Sequence, residues 1–464
     1  MKPLKLTIGL LLVALAGFTT AQNEPEKLLR LSLDEAQQYA LEHNATMQNA
    51  SLDVKKAELS RWQTIASMLP QVRAGFDYQN MCGYTMNFGG GGSMLSMMPD
   101  SITIGGVTMP ISFPNTDPDP ESGTGIKMNP NGTFSVTASM ALTGAQIVGA
   151  LLQKVALQMT DLSRQQTEQS TRSSVKNIYV SILVMEQTVS LLDSSLANLE
   201  QLAATSQASV DVGVAEQVDA DKLQVQVATL KSNINSTRRS LHALRNTLLL
   251  QLGADVAANL QLTTSLEDIL NIDSAMQLLA SGFDITRNYN YRLLEQNEQI
   301  AKHNATMAWM DFTPTLSAYY QYSAKTYFGK DEGFNMTPPN MIGASLSLPL
   351  FSSGSRVAAL RSAKIDLQQA ANNRRQAEDA LRVQHDQLCY DLASALETYD
   401  IHKMNLDVTQ RVFRNVTEKY RYGRASSLEV TTASSEIISA QTNYIQAVMS
   451  VVSAQVELEN LLNR

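Results

Sequence analysis

Two long stretches of this chain have the composition and periodicity of continuous helix. Residues 145–211 contain no proline and one glycine, and residues 356–422 contain neither. Apolar side chains recur in the first at alternating steps of three and four, the spacing of coiled coils, and the second repeats this seam more weakly. A helix of this length would extend roughly 100 Å, so it needs neighbouring helices along it. The seam positions are Val175, Ile178, Ile182, Met185, Val189, Leu192, Leu196 and Leu199 in the first stretch and Leu388, Leu392, Tyr399, Leu406, Phe413 and Tyr420 in the second.

The chain contains the same pattern twice. Pro70 and Pro314 stand in similar segments and are 244 positions apart. Gly213 and Gly423 follow the two helical stretches and are 210 positions apart. The first copy therefore carries 34 extra residues between its strands, and we expect one structural unit repeated in tandem.

In each copy, two segments before the long helix alternate apolar and polar residues, which is the period of a β-strand. They span about 71–80 and 132–142 in the first copy and about 314–324 and 341–349 in the second. The polar face suits water, and the aliphatic face, with Tyr and Phe near its ends, suits lipid. Four strands are too few for a sandwich or for a barrel, which needs about eight. A barrel would therefore need several chains.

Each long helix is expected to end at a glycine, where φ > 0 lets the chain reverse. A second helix follows each reversal, and a shorter helix precedes each strand pair. We predict a mainly α fold with a small β part, built as two tandem repeats of helix, strand, strand, long helix and helix. The repeats span residues 22–266 and 267–464, their long helices about 145–211 and 355–422, their second helices about 217–252 and 428–462, and their leading helices about 33–68 and 285–311.

Residues 1–21 have the order of a secretory signal peptide. Lys2 and Lys5 are basic, Leu6–Phe18 is apolar, and small residues precede Gln22. No cysteine stands at the expected cleavage point, which argues against a lipid anchor there. No other segment has the ~18 uninterrupted apolar residues of a membrane helix. The secreted protein is expected to be either soluble or inserted as a β-barrel.

The sequence carries no pattern of an enzyme or of a nucleic-acid-binding protein. The formal charge of −8 disfavours a nucleic-acid partner, and the five histidines form no HExxH metal motif. There is no Gly-x-Ser-x-Gly elbow, and no Gly-Lys-Ser/Thr follows Gly89–Gly92. No cofactor is expected. Cys82 and Cys389 are not expected to form a disulfide, since one lies in a glycine-rich loop and the other in a helix.

A long segment, about residues 81–132, separates the strands of the first copy. It is expected to face the exterior, beside a shorter segment at about residues 325–340. Its acidic stretch at residues 117–121 could hold Ca²⁺ or could simply be solvated.

Strands beside long helices, duplicated behind a signal peptide, resemble the TolC family of outer-membrane efflux proteins. Residues 31–44 are similar to the opening helix of that family, residues 348–354 to the exit from its last strand, and residues 420–430 to its periplasmic tip. The resemblance implies a homotrimer that forms a 12-stranded outer-membrane β-barrel continued by a periplasmic α-helical barrel. It also implies three partners: a periplasmic adaptor protein, an inner-membrane pump of RND or ABC type, and outer-membrane lipid. The chain would conduct substrates passively.

The resemblance also implies roles for residues at the tip. Glu429 and Asp219 match the acids that ring the pore aperture of the family, and Tyr420 matches a tyrosine that helps to hold it shut. Ala425 and Thr432 stand where the family has an arginine and a further acid. We therefore expect the closed state to be held by other contacts.

Each of these features also has a local explanation. Ser426 to Glu429 reads as a helix capping box, and Asp219 suits a first helical turn through the helix dipole. The reversals between helices explain the tip glycines without any partner. If the turns contact an adaptor, the residues that do so are Val212, Gly213, Val214, Tyr422, Gly423 and Arg424.

Two other classes of protein stay open. A secreted coiled-coil scaffold or adhesin would explain the heptads and the signal peptide. It would not explain paired strands that recur at matching places in both copies. An enzyme would need a catalytic site, and the sequence offers no residues for one.

Overall fold

The computed structural model describes residues 28–82, 129–270, 272–328 and 338–463, together with the backbone of four short strand segments between residues 85 and 127. The short segments pair antiparallel, residues 85–87 with 125–127 and residues 101–104 with 107–110. The predicted signal peptide, the glycine run at residues 89–92 and the acidic stretch at residues 117–121 lie outside the described residues.

The described chain forms two compact units. One unit holds residues 57–156 and 299–369 and contains a four-stranded sheet. The other holds the described residues up to 56, residues 157–298 and the chain from residue 370 onward, and it is mostly helical. In chain order, the strands are β1 (Leu28–Leu31), β2 (Gln71–Gln79), β3 (Asn131–Leu142), β4 (Asn259–Leu262), β5 (Thr315–Tyr327) and β6 (Asn340–Ser347). The helices are α1 (Leu33–His43), α2 (Ala45–Ala66), α3 (Gly144–Asp211), α4 (Gln217–Leu252), α5 (Leu266–Ile269), α6 (Ile272–Leu279), α7 (Tyr289–Met310), α8 (Ser355–Arg421) and α9 (Ser427–Leu462), with a 3₁₀ turn at Ile285–Arg287.

The long helices α3 and α8 begin and end within one residue of the predicted limits. The heptad prediction is confirmed, because seam residues of both helices lie in the core and the other seam residues are half-buried. Three ion pairs of 2.6–2.8 Å also join α3 to the antiparallel α4, and each contributes at most a few tenths of a kcal/mol because it is exposed. Apolar packing therefore holds the helices together. The buried seam residues are Val175, Ile182, Leu192 and Leu199 in α3 and Leu388, Leu392, Tyr399, Leu406 and Phe413 in α8.

The first leading helix is not continuous, contrary to the prediction for residues 33–68. It breaks at Asn44, which has extended backbone. The Asn44 side-chain oxygen accepts hydrogen bonds from the N–H groups of Thr46 (2.7 Å) and Met47 (3.3 Å), so it caps α2. Its amide donates to the carbonyl of Gln251 (2.6 Å), in the last turn of α4. One buried side chain thus begins α2 and satisfies the end of α4.

The second leading helix, predicted for residues 285–311, breaks in the same way at Asn288. Asn288 accepts from the N–H groups of Asn290 (3.0 Å) and Tyr291 (3.2 Å), and it donates to the carbonyl of Leu461 (3.1 Å). Asn288 lies 244 positions after Asn44, and Leu461 lies 210 positions after Gln251. These are the two offsets that separate the repeats in the sequence, so the structure carries the duplication down to single hydrogen bonds.

The four-stranded sheet is antiparallel, in the order β6-β5-β3-β2. The two strands of each repeat pair with each other, and β3 pairs with β5 to join the repeats. Strands β6 and β2 are the free edges, and all nine residues of β2 are exposed.

A small parallel sheet of β1 and β4 was not predicted. The fully buried Tyr179 of α3 fixes the ends of both strands. Its hydroxyl donates to the carbonyl of Leu31 (3.0 Å) and accepts from the N–H of Thr264 (3.1 Å). This contact anchors β1 and the residues after β4 to the long helix α3.

Candidate functional site: the helical turns at Gly213 and Gly423

The first turn joins α3 to α4 through Gly213, whose φ is +78°. The N–H of Gly213 donates to the carbonyl of Val210 (2.8 Å), and the N–H of Val214 donates to that of Ser209 (2.9 Å). This pair of bonds is a Schellman motif, which closes a helix and reverses the chain.

The second turn joins α8 to α9 and repeats this geometry. Gly423 has φ +68°, its N–H donates to the carbonyl of Tyr420 (2.9 Å), and the N–H of Arg424 donates to that of Lys419 (2.8 Å). A Cβ built on Gly213 or Gly423 meets no atom within 4 Å. Both turns therefore need glycine for their φ angle and not for space.

The predicted adaptor-contact residues lie at the surface. The side chains of Val212, Val214 and Tyr422 are between 74% and 77% exposed, although valine and tyrosine are more often partly or fully buried. Gly213, Gly423 and Arg424 are exposed as well.

Asp219 lies in the first turn of α4 and contacts the other repeat. Its carboxylate accepts a hydrogen bond of 2.5 Å from the hydroxyl of Ser427, which is buried at the start of α9. Lys222 on the next turn of α4 lies 3.5 Å from the same carboxylate oxygen. Asp219 therefore links the beginnings of α4 and α9. Its partner Ser427 lies two residues before Glu429.

Glu429 is exposed at the first turn of α9. Its N–H donates to the hydroxyl of Ser426 (3.2 Å), which is one half of the predicted capping box. Within the described residues, the other half, from the Ser426 N–H to the Glu429 carboxylate, does not form. The Glu429 side chain is left facing solvent, so the capping-box prediction is right for Ser426 and wrong for the carboxylate.

Tyr420 is half-buried and packs against the apolar cluster between the helices near the turns. The neighbouring Arg421 donates to the side chain of Gln201 on α3 (3.0 Å) and to Glu418 (3.1 Å), so it joins α8 to α3. Sequence reasoning missed Ser427 and Arg421, because their partners lie more than 200 positions away in the chain. The cluster consists of Leu192, Leu199, Leu202, Leu223, Leu230, Ile234 and Val430.

The two turns differ in charge. A groove of about 410 Å³ beside the second turn is lined by Arg411, Arg414, Lys419 and Arg424, together with Asn415, Glu418 and Tyr422. The first turn instead has three exposed acids, Asp211, Glu216 and Asp221. The surface near the second turn is thus mainly cationic, whereas the first turn carries exposed acids.

No metal site is found in the part of the chain that the structure describes, since no three His, Cys, Asp or Glu side chains gather there. Cys82 and Cys389 are both free. By length and composition, the described helix α3 is apolar enough to cross a membrane, but helices in protein cores pass the same test.

Known proteins resemble this chain in the sequence of its second repeat and in its fold. Residues 287–464 match the family model described as "Outer membrane efflux protein". The outer membrane efflux protein BepC of Brucella suis biovar 1 (strain 1330) is 22% identical over 306 residues, which cover 64% of this chain and 64% of BepC. The match thus spans less than two thirds of that relative.

Solved outer-membrane proteins match nearly the whole chain. The outer membrane protein VceC of Vibrio cholerae superposes with a TM-score of 0.69 at 15% identity, over 93% of this chain and 95% of VceC. The CmeC outer membrane channel of Campylobacter jejuni gives a TM-score of 0.71 at 12% identity, over 93% and 85%. The resemblance to TolC-family outer-membrane efflux proteins is confirmed: residues 287–464 match the model of the outer membrane efflux protein family, and the chain has the fold of the solved outer-membrane proteins VceC and CmeC.

Proposed function

We propose that this chain is the outer-membrane channel subunit of a tripartite efflux or secretion system, and that it acts by conduction and not by catalysis. The sheet would lie in the outer membrane and the long helices would extend into the periplasm. The observation that supports this most directly is a four-stranded sheet, open at both edges, whose strands β3 and β6 lead into helices of 68 and 67 residues. The family match of the second repeat supports the same assignment.

The open sheet favours a homotrimer. Exposed edge strands are a liability that proteins cover or pair, and closing a sheet on itself removes them. Three chains of four strands would give twelve strands, enough for a barrel with an aqueous lumen.

We propose further that the turns at Gly213 and Gly423 face the periplasm and surround the pore aperture. Glu429 would present its solvated carboxylate to passing ions, Tyr420 would hold α8 against the core, and Asp219 would hold α4 to α9 through Ser427. The last contact replaces the arginine latch that Ala425 cannot supply. Breaking the bond between Asp219 and Ser427 would then let the beginnings of α4 and α9 separate.

The exposed turns would also receive the adaptor. Val212, Val214 and Tyr422 offer uncovered apolar surface, and the cationic groove beside Tyr422 favours a partner whose helices carry acidic residues. An RND or ABC pump in the inner membrane would supply the substrate and the energy.

A fractionation experiment tests the proposal. The chain with its leader is expressed in a bacterial host, membranes are separated by density, and the protein is run on gels with and without boiling. A heat-modifiable trimer in the outer membrane, with stepwise conductance in planar lipid bilayers, is the expected result. Release into the medium without any conductance would contradict the channel and favour a coiled-coil scaffold.

A further inference from the structure

The proposed trimer requires strand β6 of one copy to pair antiparallel with strand β2 of a second copy, and we infer that the two strands do so with Leu346 opposite Phe76 of that copy. We also infer that the connector between β6 and α8, residues 348–354, covers the start of β2 of the second copy. The inference rests on the proposed assembly, but it specifies which residues meet. It is carried by the internal duplication and by the exposure of both edges.

Both edge strands present uncovered apolar side chains. On β6, Ile342 is 85% exposed and Leu346 is 71% exposed. On β2, Val72 and Phe76 are similarly uncovered, at 69% and 66%. An edge with free N–H and C=O groups and apolar side chains is a template for another strand. A pairing of β6 with β2 is head-to-tail, and repeating it generates a ring when the rotation between copies closes, as the proposed trimer requires.

The strand pairings within one chain give the register of the proposed pairing between chains. Gln71 pairs with Ser139 in the first repeat, and Thr315 pairs with Ser347 in the second. Thr315 lies 244 positions after Gln71, so Ser347 is the counterpart of Ser139, 208 positions later. Strand β6 is thereby the counterpart of β3, and β2 is the counterpart of β5.

The pairing of β3 with β5 can then be transferred to the free edges. Ala138 lies opposite Tyr320. Their counterparts are Leu346 and Phe76, which gives the proposed register. The transferred register keeps the apolar face of β6 on the same side as that of β2, whereas a slip of one residue would turn one face over.

The connector between the second strand and the long helix is where the β3–β5 contact within a chain and the proposed β6–β2 contact between chains differ. The second strands of the two repeats, β3 and β6, are 208 positions apart, but the turns after the long helices are 210 apart, so the second connector holds two extra residues. Leu350 and Phe351 lie in it and are 86% and 87% exposed. The connector is ordered by Ser353 at φ +48° and by Arg356, which donates to the carbonyl of Pro349 (3.0 Å).

The contact between the two repeats within one chain, where β3 pairs with β5, shows what such a connector packs against. There, a Cβ on Gly144 would lie 2.7 Å from Met310 and 2.9 Å from Thr313, so that connector is closely covered by the end of α7 and the residues after it. The counterpart of Thr313 is Leu69, which is 49% exposed. The transferred register also places Leu350 opposite Val72 of the second copy. Leu350 and Phe351 therefore fit over the partner's Leu69 and Val72.

Disulfide trapping tests the register. Leu346→Cys is combined with Phe76→Cys in a chain that carries Cys82→Ser and Cys389→Ala, and outer membranes are oxidised and run without reductant. Directly opposite residues have Cβ atoms about 4.5–5.5 Å apart, against about 7–8 Å for diagonal neighbours. Since a disulfide needs about 3.5–4.5 Å, we expect at least about fivefold more cross-linked multimer than for a pair displaced by two residues.

The displaced controls combine Leu346→Cys with Ala74→Cys or with Tyr78→Cys, which lie on the same face of β2. Stronger cross-linking in either control would overturn the register. No cross-linking in any pair, in a protein that still conducts ions as a trimer, would overturn the pairing of β6 with β2 while the proposed function stands. Absence of both conductance and trimer in the chain with its native cysteines would count against the assembly on which the inference rests.

A second variant tests the connector. Leu350→Ser with Phe351→Ser should lower the fraction of trimer that survives mild detergent by about tenfold, since two apolar side chains would lose their cover. Val383→Ser, on the exposed face of α8, is the control. An unchanged trimer fraction in the double variant would refute the contact with Leu69 and Val72.

Discussion

Replacing Ser427 by alanine should loosen the contact between α4 and α9 at the proposed aperture. The change removes the hydroxyl that donates to Asp219 over 2.5 Å and leaves the buried backbone around it in place. A hydrogen bond to a charged group contributes about 1.5–3 kcal/mol. The Asp219 side chain is 36% exposed and keeps Lys222 at 3.5 Å, so the lower value of about 1.5 kcal/mol applies.

If this contact exists only in the closed state, its loss shifts the balance of open to closed channels by about tenfold, since 1.4 kcal/mol is a factor of ten. The assay is single-channel recording of the purified trimer in planar lipid bilayers, with Asp219→Ala and the double variant measured alongside. Removing both partners should cost less than the sum of the single changes, because they lose the same bond. Ser435→Ala is the control, since the Ser435 hydroxyl donates within its own helix, to Thr431.

An open probability of Ser427→Ala equal to that of the unchanged protein would refute the latch. Additive effects of Asp219→Ala and Ser427→Ala would also refute it, because additivity means that the two groups do not act through each other. A shift of the same size in Ser435→Ala would point to general softening of α9 and not to the contact.

Three further predictions concern single residues. Gly253→Ala should lower the thermal midpoint of the helices, measured by circular dichroism, more than Gly213→Ala does. At both positions φ is above +70°, so each alanine lowers the free energy of unfolding by about 1–2 kcal/mol, but only at Gly253 does the new Cβ fall 2.4 Å from a backbone oxygen. Equal shifts would refute the close approach. Glu429→Gln should weaken the preference for cations in reversal-potential measurements, since an exposed carboxylate attracts them, and unchanged selectivity would place it away from the pore. Gly423→Trp should lower export of a toxic substrate by at least about tenfold relative to Gly423→Ala, which shares the φ strain, with trimer levels unchanged; loss of the trimer would contradict an adaptor-contact role.

The long helices, the strands and the turns were predictable because each follows from a local pattern. Heptads that persist over several turns of α3 and α8 leave no alternative to helix, and alternation at period two in β2 and β5 leaves none to strand. Gly213 and Gly423 are recognisable because a residue without Cβ is needed where φ is positive.

The breaks at Asn44 and Asn288 were not predictable in the same way. Asparagine inside an apolar period reads as a tolerated helix residue. Its side chain ends the helix here because it has a second partner, the carbonyl of Gln251 or Leu461, more than 170 positions away. The contact between Asp219 and Ser427 was not predictable for the same reason. Asp219 is a plausible first-turn acid on its own, and only the packing of α4 on α9 brings Ser427 to it.

The two offsets also bear on how such a chain arose. A half-length polypeptide with one repeat would carry two strands, and six copies would be needed for the proposed twelve. In that ancestral ring every seam between neighbours would be identical. Fusion of two copies placed alternate seams inside one polypeptide, where the strand-to-helix connectors were free to diverge. On that route, the two residues that separate the 208 and 210 offsets would be a trace of the fusion, at the contact that the proposed trimer leaves between molecules.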